Sequence, residues 1–172
     1  MPPMTIRSIR SADPPDIPAI VDINTAGRPG VSPLTLETTV ATLAAAPYVV
    51  VAELDGRVAG YMIGYTAGDV CEGDEFAWFQ ARMPPFLYID QIAVAPHARR
   101  MRVGARLYAH AASHERAHAI PALVCDINLD PPNPASLRFH ARLGFQEVAV
   151  ITTHDGRTVS LQRKDLLERH RA

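Results

Sequence analysis

Lysine is nearly absent from this chain. Of its 17 basic residues, 16 are arginine and one is Lys164. With 15 prolines and abundant alanine, that skew reads as the mark of a GC-rich coding sequence. An arginine here is therefore not in itself a sign of function. Cysteine is scarce too: Cys71 and Cys125 are the only two, without paired spacing. That excludes a disulfide framework or a zinc-finger motif and suits a reducing compartment. No run of 18 apolar residues occurs, so no membrane-spanning helix is expected. The opening MPPMTIRSIR carries charge but no apolar run behind it, so no signal peptide is expected either. Charge of one sign is also missing. The net charge is −1, which removes the broad field that nucleic acid or an anionic membrane would answer. The expected location is the cytoplasm.

What is present is ordinary for a globular chain: 48% hydrophobic and 20% charged residues over 172 positions. That length buries a core without staples and is read as one domain, residues 1–172. Thr5–Arg10 alternates apolar and polar residues as a first strand. Asp13 or Asp16 caps a short helix through about Asn24, and the residues Gly27–Pro33 form a loop. Leu34–Ala45 reads as a second helix. Tyr48–Leu54 and Arg57–Thr66 read as a hairpin around Asp55-Gly56. Gly60, Gly64 and Gly68 fall four apart and are expected on one strand face, against something large or at a bulge. Asp69–Pro85 is read as a long loop with an acidic start and an aromatic patch. Phe86–Val94 is the central strand, Arg102–His118 a long helix, and Ala122–Asn128 the next strand. A Pro-rich lead-in then precedes a helix ending at Gly144. Phe145–Thr153 and Arg157–Arg163 close the chain as a hairpin. The order gives an α/β (α+β) fold with a mixed sheet.

The stretch IDQIAVAPHARRMRVGARLYAHA aims an apolar strand at a helix start carrying four arginines in eight residues. A helix start presents unpaired N–H groups and partial positive charge, and phosphate binds there. Arg99, Arg100 and Arg102 add charge, and Gly104 permits close approach of a backbone. This alone points to a phosphate-bearing ligand. A second segment, NPASLRFHARLGF, is a complete capped helix. Asn133 is the N-cap, Pro134 the first helical residue and Gly144 the residue past the end.

The two segments, about 30 residues apart, resemble the GNAT superfamily of acetyl-CoA-dependent N-acetyltransferases. That family pairs an R/Q-x-x-G-x-G/A loop after its fourth strand with an N-x-x-A-x-x-x-Y-x-x-x-G-F helix near its end. Here the loop is Arg99-Arg100-Met101-Arg102-Val103-Gly104, and the helix keeps Asn133, Gly144 and Phe145. Arg102 stands at the loop's first Gly position, His140 at the Tyr position and Ser136 at the Ala position. The resemblance covers nearly the whole chain. It implies a mostly antiparallel sheet with splayed central strands, flanked by about four helices.

It also implies acetyl-CoA as cosubstrate, with pantetheine paired along Ile92, Ala93 and Val94. The diphosphate falls on backbone N–H groups of Arg99, Arg100, Met101, Arg102, Val103, Gly104 and Ala105. Asn133 or Ser136 contacts the cofactor arm. His140 protonates the leaving thiolate or holds the sulfur. The acceptor is an amine of a small molecule or peptide, protonated at neutral pH, so a base is required. Asp90, inside the apolar run FLYIDQIAV, is the first choice, because burial would raise its pKa. Asp126 is the reserve. The competing reading of Asp90 is a carboxylate that simply accepts hydrogen bonds.

Other features keep plainer readings. His110, His114 and His118 share a helix face, but no third ligand follows from the sequence, so no metal is expected. A non-catalytic CoA-binding module is the first alternative for the chain, and a nucleic-acid-binding domain using the arginine cluster is the second. A homodimer through the C-terminal hairpin or sheet edge fits the same order of elements.

Overall fold

The Asp55-Gly56 turn sets one end of the sheet. In a computed structural model of the protein, which describes residues 6–167, Asp55 and Gly56 both take positive φ, at 50° and 78°, as a two-residue hairpin demands. They join β2 (Tyr48–Leu54) to β3 (Arg57–Thr66). β1 (Ile6–Ser11) runs antiparallel to β2; Thr5, expected in this strand, lies outside the described residues. The remaining strands are β4 (Leu87–Val94), β5 (Ala122–Asp130), β6 (Gln146–Thr152) and β7 (Thr158–Asp165). The seven-stranded sheet has the order β1-β2-β3-β4-β5-β7-β6. Among the described residues the parallel β4–β5 ladder comprises Leu87 opposite Leu123 and Tyr88 opposite Val124. The central pair is thus joined over a short stretch only. β5–β7 and β6–β7 are antiparallel.

Five helices are present among the described residues: α1 (Ile17–Gly27), α2 (Leu36–Ala45), α3 (Asp74–Arg82), α4 (Val103–Ala117) and α5 (Pro134–Arg142). α3 corrects the expectation of an unbroken loop over Asp69–Pro85. Two acids occupy its first turn and Arg82 its last, the charge order that a helix dipole favours. Phe76 and Phe79, three apart, are buried and meet the rings of Phe86 and Tyr88 at 5.6–6.2 Å.

By contacts the chain divides into two compact units. The first comprises residues 6–64 with Asp90–His110. Here α4 packs on β3. A Cβ placed on Gly60 would lie 2.9 Å from Val103 Cγ1 and 3.1 Å from the Ala93 carbonyl, so the large neighbour expected there is, at Gly60, this helix. A bulge falls beside Gly60, where the β2–β3 register shifts between Ala52 and Glu53. Ala59 carbonyl there accepts from Ala95 N at 2.8 Å. Gly68 does not join the stripe: it lies past the end of β3, in a turn with φ +98°. Gly60→Ala should cost about 1–3 kcal/mol, the usual penalty of overpacking a filled site. Urea melts measure it.

The second unit comprises Tyr65–Ile89 and residues 111–167. Its core gathers Phe76, Phe79, Phe86, Tyr88, Val124, Val159 and Leu161. α5 is built as its sequence demands. Asn133 accepts from Ser136 N at 3.2 Å, Pro134 opens the helix, and Gly144 leaves it at φ +89°.

Candidate active site

In the first unit, β4 leads through a 3-10 turn at Pro96–Ala98 into α4. Ala93 is buried, while Ile92 and Val94 are half-buried. In the loop that follows, Arg100 and Arg102 take left-handed backbone conformations, with φ 66° and 61°. Such conformations cost non-glycine residues of order 1–3 kcal/mol each. Arg102 therefore adopts the geometry of the glycine that the loop motif expects at its position. Its carbonyl accepts from Arg106 N at 3.0 Å, which places it at the threshold of α4. Val103, Gly104 and Ala105 form the first turn, whose N–H groups have no partner within the helix. Left-handed residues before a helix start are the ingredients of a backbone nest for anions. Both guanidinium-bearing residues are exposed beside it. Arg99 differs: its Nη2 donates to Ala26 carbonyl at 3.3 Å, at the last turn of α1, where cations are favoured. The donor set suits a diphosphate.

The same unit holds a buried polar cluster. Asn24, fully buried, donates to Ser32 carbonyl at 2.9 Å, Tyr61 Oη at 3.0 Å and Gln91 Oε1 at 3.1 Å. Its Oδ1 accepts from Leu34 N at 2.9 Å. Tyr61 donates to Gln91 at 2.8 Å. Burial pushes the Tyr61 hydroxyl up to about 12, so it remains a donor. The cluster ties the segment after α1 to β3 and β4, and no sequence pattern announced it.

Asp90 departs from expectation. β4 leaves it exposed, not buried as the apolar run around it suggests. Strand alternation told which face it shares, not what covers that face.

Asp126, on β5 in the second unit, has the environment sought for Asp90. Tyr88 donates to its Oδ1 at 2.6 Å. Although the residue keeps some exposure, protein surrounds the carboxyl itself, and burial pushes it up to about 6. The Tyr88 hydrogen bond and Arg157 pull it down, while Glu75 pushes it up. Glu75 is 5% exposed and takes the guanidinium of Arg157 at 2.7 Å. The sequence did not reveal that Tyr88, Glu75 and Arg157 gather around Asp126. Glu75 sits in the helix that read as a loop, and Tyr88 lies 38 positions from its partner.

On α5, His140 is 5% exposed. Its Nδ1 lies 2.8 Å from Ser136 carbonyl and 3.2 Å from Ser136 Oγ. A carbonyl only accepts, so Nδ1 carries the proton. Burial pushes the ring below its ordinary value, so it is neutral at pH 7. The ring stands edge-on to Phe139 and Phe145 at 5.1 and 5.3 Å. Ser136 and His140 thus meet as their spacing of four implies.

The acetyltransferase (GNAT) family model matches residues 17–145, a span that includes both the loop and the capped helix. L-2,4-diaminobutyric acid acetyltransferase of Nocardia farcinica is 29% identical over 103 residues. That alignment covers 60% of this chain and 46% of the relative, so the chain matches about half of that protein's length. Among solved structures, Ard1 from Thermoplasma volcanium superposes with a TM-score of 0.75 at 21% identity, covering 94% of this chain and 98% of that one. The ribosomal-protein-S18-alanine N-acetyltransferase of Escherichia coli gives 0.70 at 18%, covering 96% and 97%. YncA of Salmonella typhimurium, solved with its cofactor acetyl-CoA, gives 0.66 at 23%, covering 95% of each. These likenesses concern the fold. No helix among the described residues is long and apolar enough to cross a membrane. With the family model spanning both segments that carry its motifs, this chain belongs to the GNAT family of acetyltransferases.

Proposed function

We propose that the protein transfers the acetyl group of acetyl-CoA directly to a primary amine of a small molecule or peptide. The observation that carries this reading is the loop before α4, where two arginines hold left-handed geometry beside the N–H groups of the helix's first turn, which the helix itself does not use. When bound, acetyl-CoA supplies a thioester activated for acyl transfer. The backbone of Ile92, Ala93 and Val94 would pair with its pantetheine arm, as an added strand does. The N–H groups from Arg99 to Ala105 would hold its diphosphate. Asn133 and Ser136 would contact the arm from α5. We take residues 1–172 to act as one acetyltransferase domain in the cytoplasm. A homodimer along β6, an end strand of the sheet, belongs to the same reading.

The acceptor arrives as an ammonium and must lose a proton before its nitrogen attacks. Two carboxylates compete for that proton. Asp90 is exposed, whereas burial brings Asp126 to about 6, close to the working pH of a general base. We assign the base to Asp126 and leave Asp90 to attract the cation. Water supplies the proton that the departing thiolate takes up; His140, neutral with its proton on Nδ1, is then suited to accept from the resulting thiol and hold its sulfur. It is less suited to supply the proton.

The test is thiol release from acetyl-CoA with an amine panel, beginning with 2,4-diaminobutyrate because of the Nocardia relative, then small diamines and peptides. Turnover with a primary amine, falling as pH drops through about 6, is the expected result. Calorimetry runs alongside. Coenzyme A binding with no turnover on any amine would favour the binding module, and no heat from coenzyme A or acetyl-CoA at millimolar concentration would end the reading.

A further inference from the structure

The β6–β7 hairpin turn carries an arginine that no motif assigns. Arg157 precedes β7, and three elements of its unit converge on it. Nη2 meets Glu75 Oε1 of α3 at 2.7 Å. Nη1 donates to Asn128 Oδ1 of β5 at 3.1 Å. Nε meets Asp155 Oδ2 at 3.0 Å. The turn itself is closed by Thr153 N donating to Arg157 carbonyl at 2.8 Å and Arg157 N donating to Thr153 Oγ1 at 3.2 Å.

An Asp155–Arg157 pair alone would be an ordinary turn staple. Two facts take it further. Glu75 is a buried carboxylate, which a fold tolerates only with a counter-charge. Asn128 follows Asp126 by two positions on β5, so both project from one strand face. Arg157 therefore grips the same face of the same strand that carries the reactive carboxylate. It also neutralises the other buried acid near it.

We propose that Arg157 is a positioning residue of acetyl transfer, a guanidinium fork that fixes α3, β5 and the hairpin turn around Asp126. This rests on the reading of Asp126 as the base. The groups that bear on Asp126 are Tyr88 from β4, Glu75 from α3 and Arg157 from the turn. Without Arg157, Glu75 would stand as an uncompensated negative charge near Asp126 and would further disfavour the ionised form of that carboxyl.

The experiment compares the full-length wild type with Arg157→Gln and the double variant Arg157→Gln/Glu75→Gln. Two readouts are taken: the carbon-13 titration of the Asp126 carboxyl, and the acid limb of kcat/KM. In Arg157→Gln both should move upward by about one pH unit. Adding Glu75→Gln should bring both back, which mere loosening of the hairpin would not do. A carboxyl titration that stays put, or that moves and does not return, overturns the proposal. A titration that moves and returns while the kinetic limb stays fixed overturns it differently, by removing Asp126 as the base. If Arg157→Gln fails to fold, Arg157→Lys takes its place. It keeps the charge and loses the fork, so kcat should fall with the limb unmoved. Wild-type kcat in that variant overturns the proposal.

Discussion

Asp126→Asn should lower turnover at pH 7 by about 100-fold or more, the usual contribution of a positioned general base, while making the protein more stable. Both effects have one cause. Burial raises the Asp126 carboxyl from 3.8 to about 6. In the unfolded chain it ionises at its ordinary value. Below pH 3.8 both states hold the proton and the group contributes nothing against folding. As pH rises through about 6 the folded state must accept a buried charge. The full cost is then present, about two pH units or ~3 kcal/mol at most. Asparagine keeps an oxygen for the Tyr88 hydroxyl and carries no charge. Its gain should therefore appear at pH 8 and vanish near pH 4. Thermal melts at the two values measure it, beside acetyl-CoA affinity, which should change little. A variant no more stable at pH 8 than the wild type would mean that the carboxylate is better solvated than its setting implies. Unchanged turnover would remove Asp126 from the reaction.

Asn24→Ala should destabilise the protein by about 3 kcal/mol. The side chain satisfies Leu34 N and Ser32 carbonyl and meets both Tyr61 and Gln91. Alanine leaves Leu34 N without its acceptor, and an orphaned buried donor costs about 1–3 kcal/mol. The lost side-chain volume adds to that. Asn24→Asp is the informative companion. It retains an acceptor for Leu34 N but turns a carboxylate toward the oxygens of Ser32 and Gln91, so it should fare no better. Urea melts give the free energies. Amide exchange should accelerate from Ser32 to Leu34, the segment that Asn24 holds. A loss below ~1 kcal/mol would show that the cluster is not the anchor of this segment.

The parts legible in the sequence were those written in local chemistry. The Asp55-Gly56 hairpin appears with the bounds its turn residues imply. Asn133, Pro134 and Gly144 frame α5 because each end of a helix asks for a different residue type. The long helix starts at Val103 rather than Arg102, a shift of one residue at an end that no side-chain cap announces. α3 stayed hidden for a physical reason. It is nine residues long and its apolar residues fall mostly in one unbroken run, Phe76-Ala77-Trp78-Phe79, so they show no helical period. The carboxylate cluster was illegible because it is made of pairings distant in sequence. Glu75 and Arg157 look like surface residues, and Tyr88 like one more core ring, until β4, α3 and the hairpin turn bring them to β5. Asp90 misled by the same logic: an apolar run around a charge suggests burial, but the neighbours on its own strand do not roof it.

One feature of β5 bears on how this protein meets electrophiles. Cys125 and Asp126 are adjacent in a strand, so their side chains leave it on opposite faces. The carboxyl goes to the side of Tyr88, while the thiol goes into the packed interior, where it is buried. Cys71, half-buried just before α3, is the more accessible sulfur. A bulky maleimide thus has one ready target in the native chain and a second only after global opening. The number of adducts then counts unfolding, and a fluorophore on Cys71 sits at the threshold of the helix that holds Glu75.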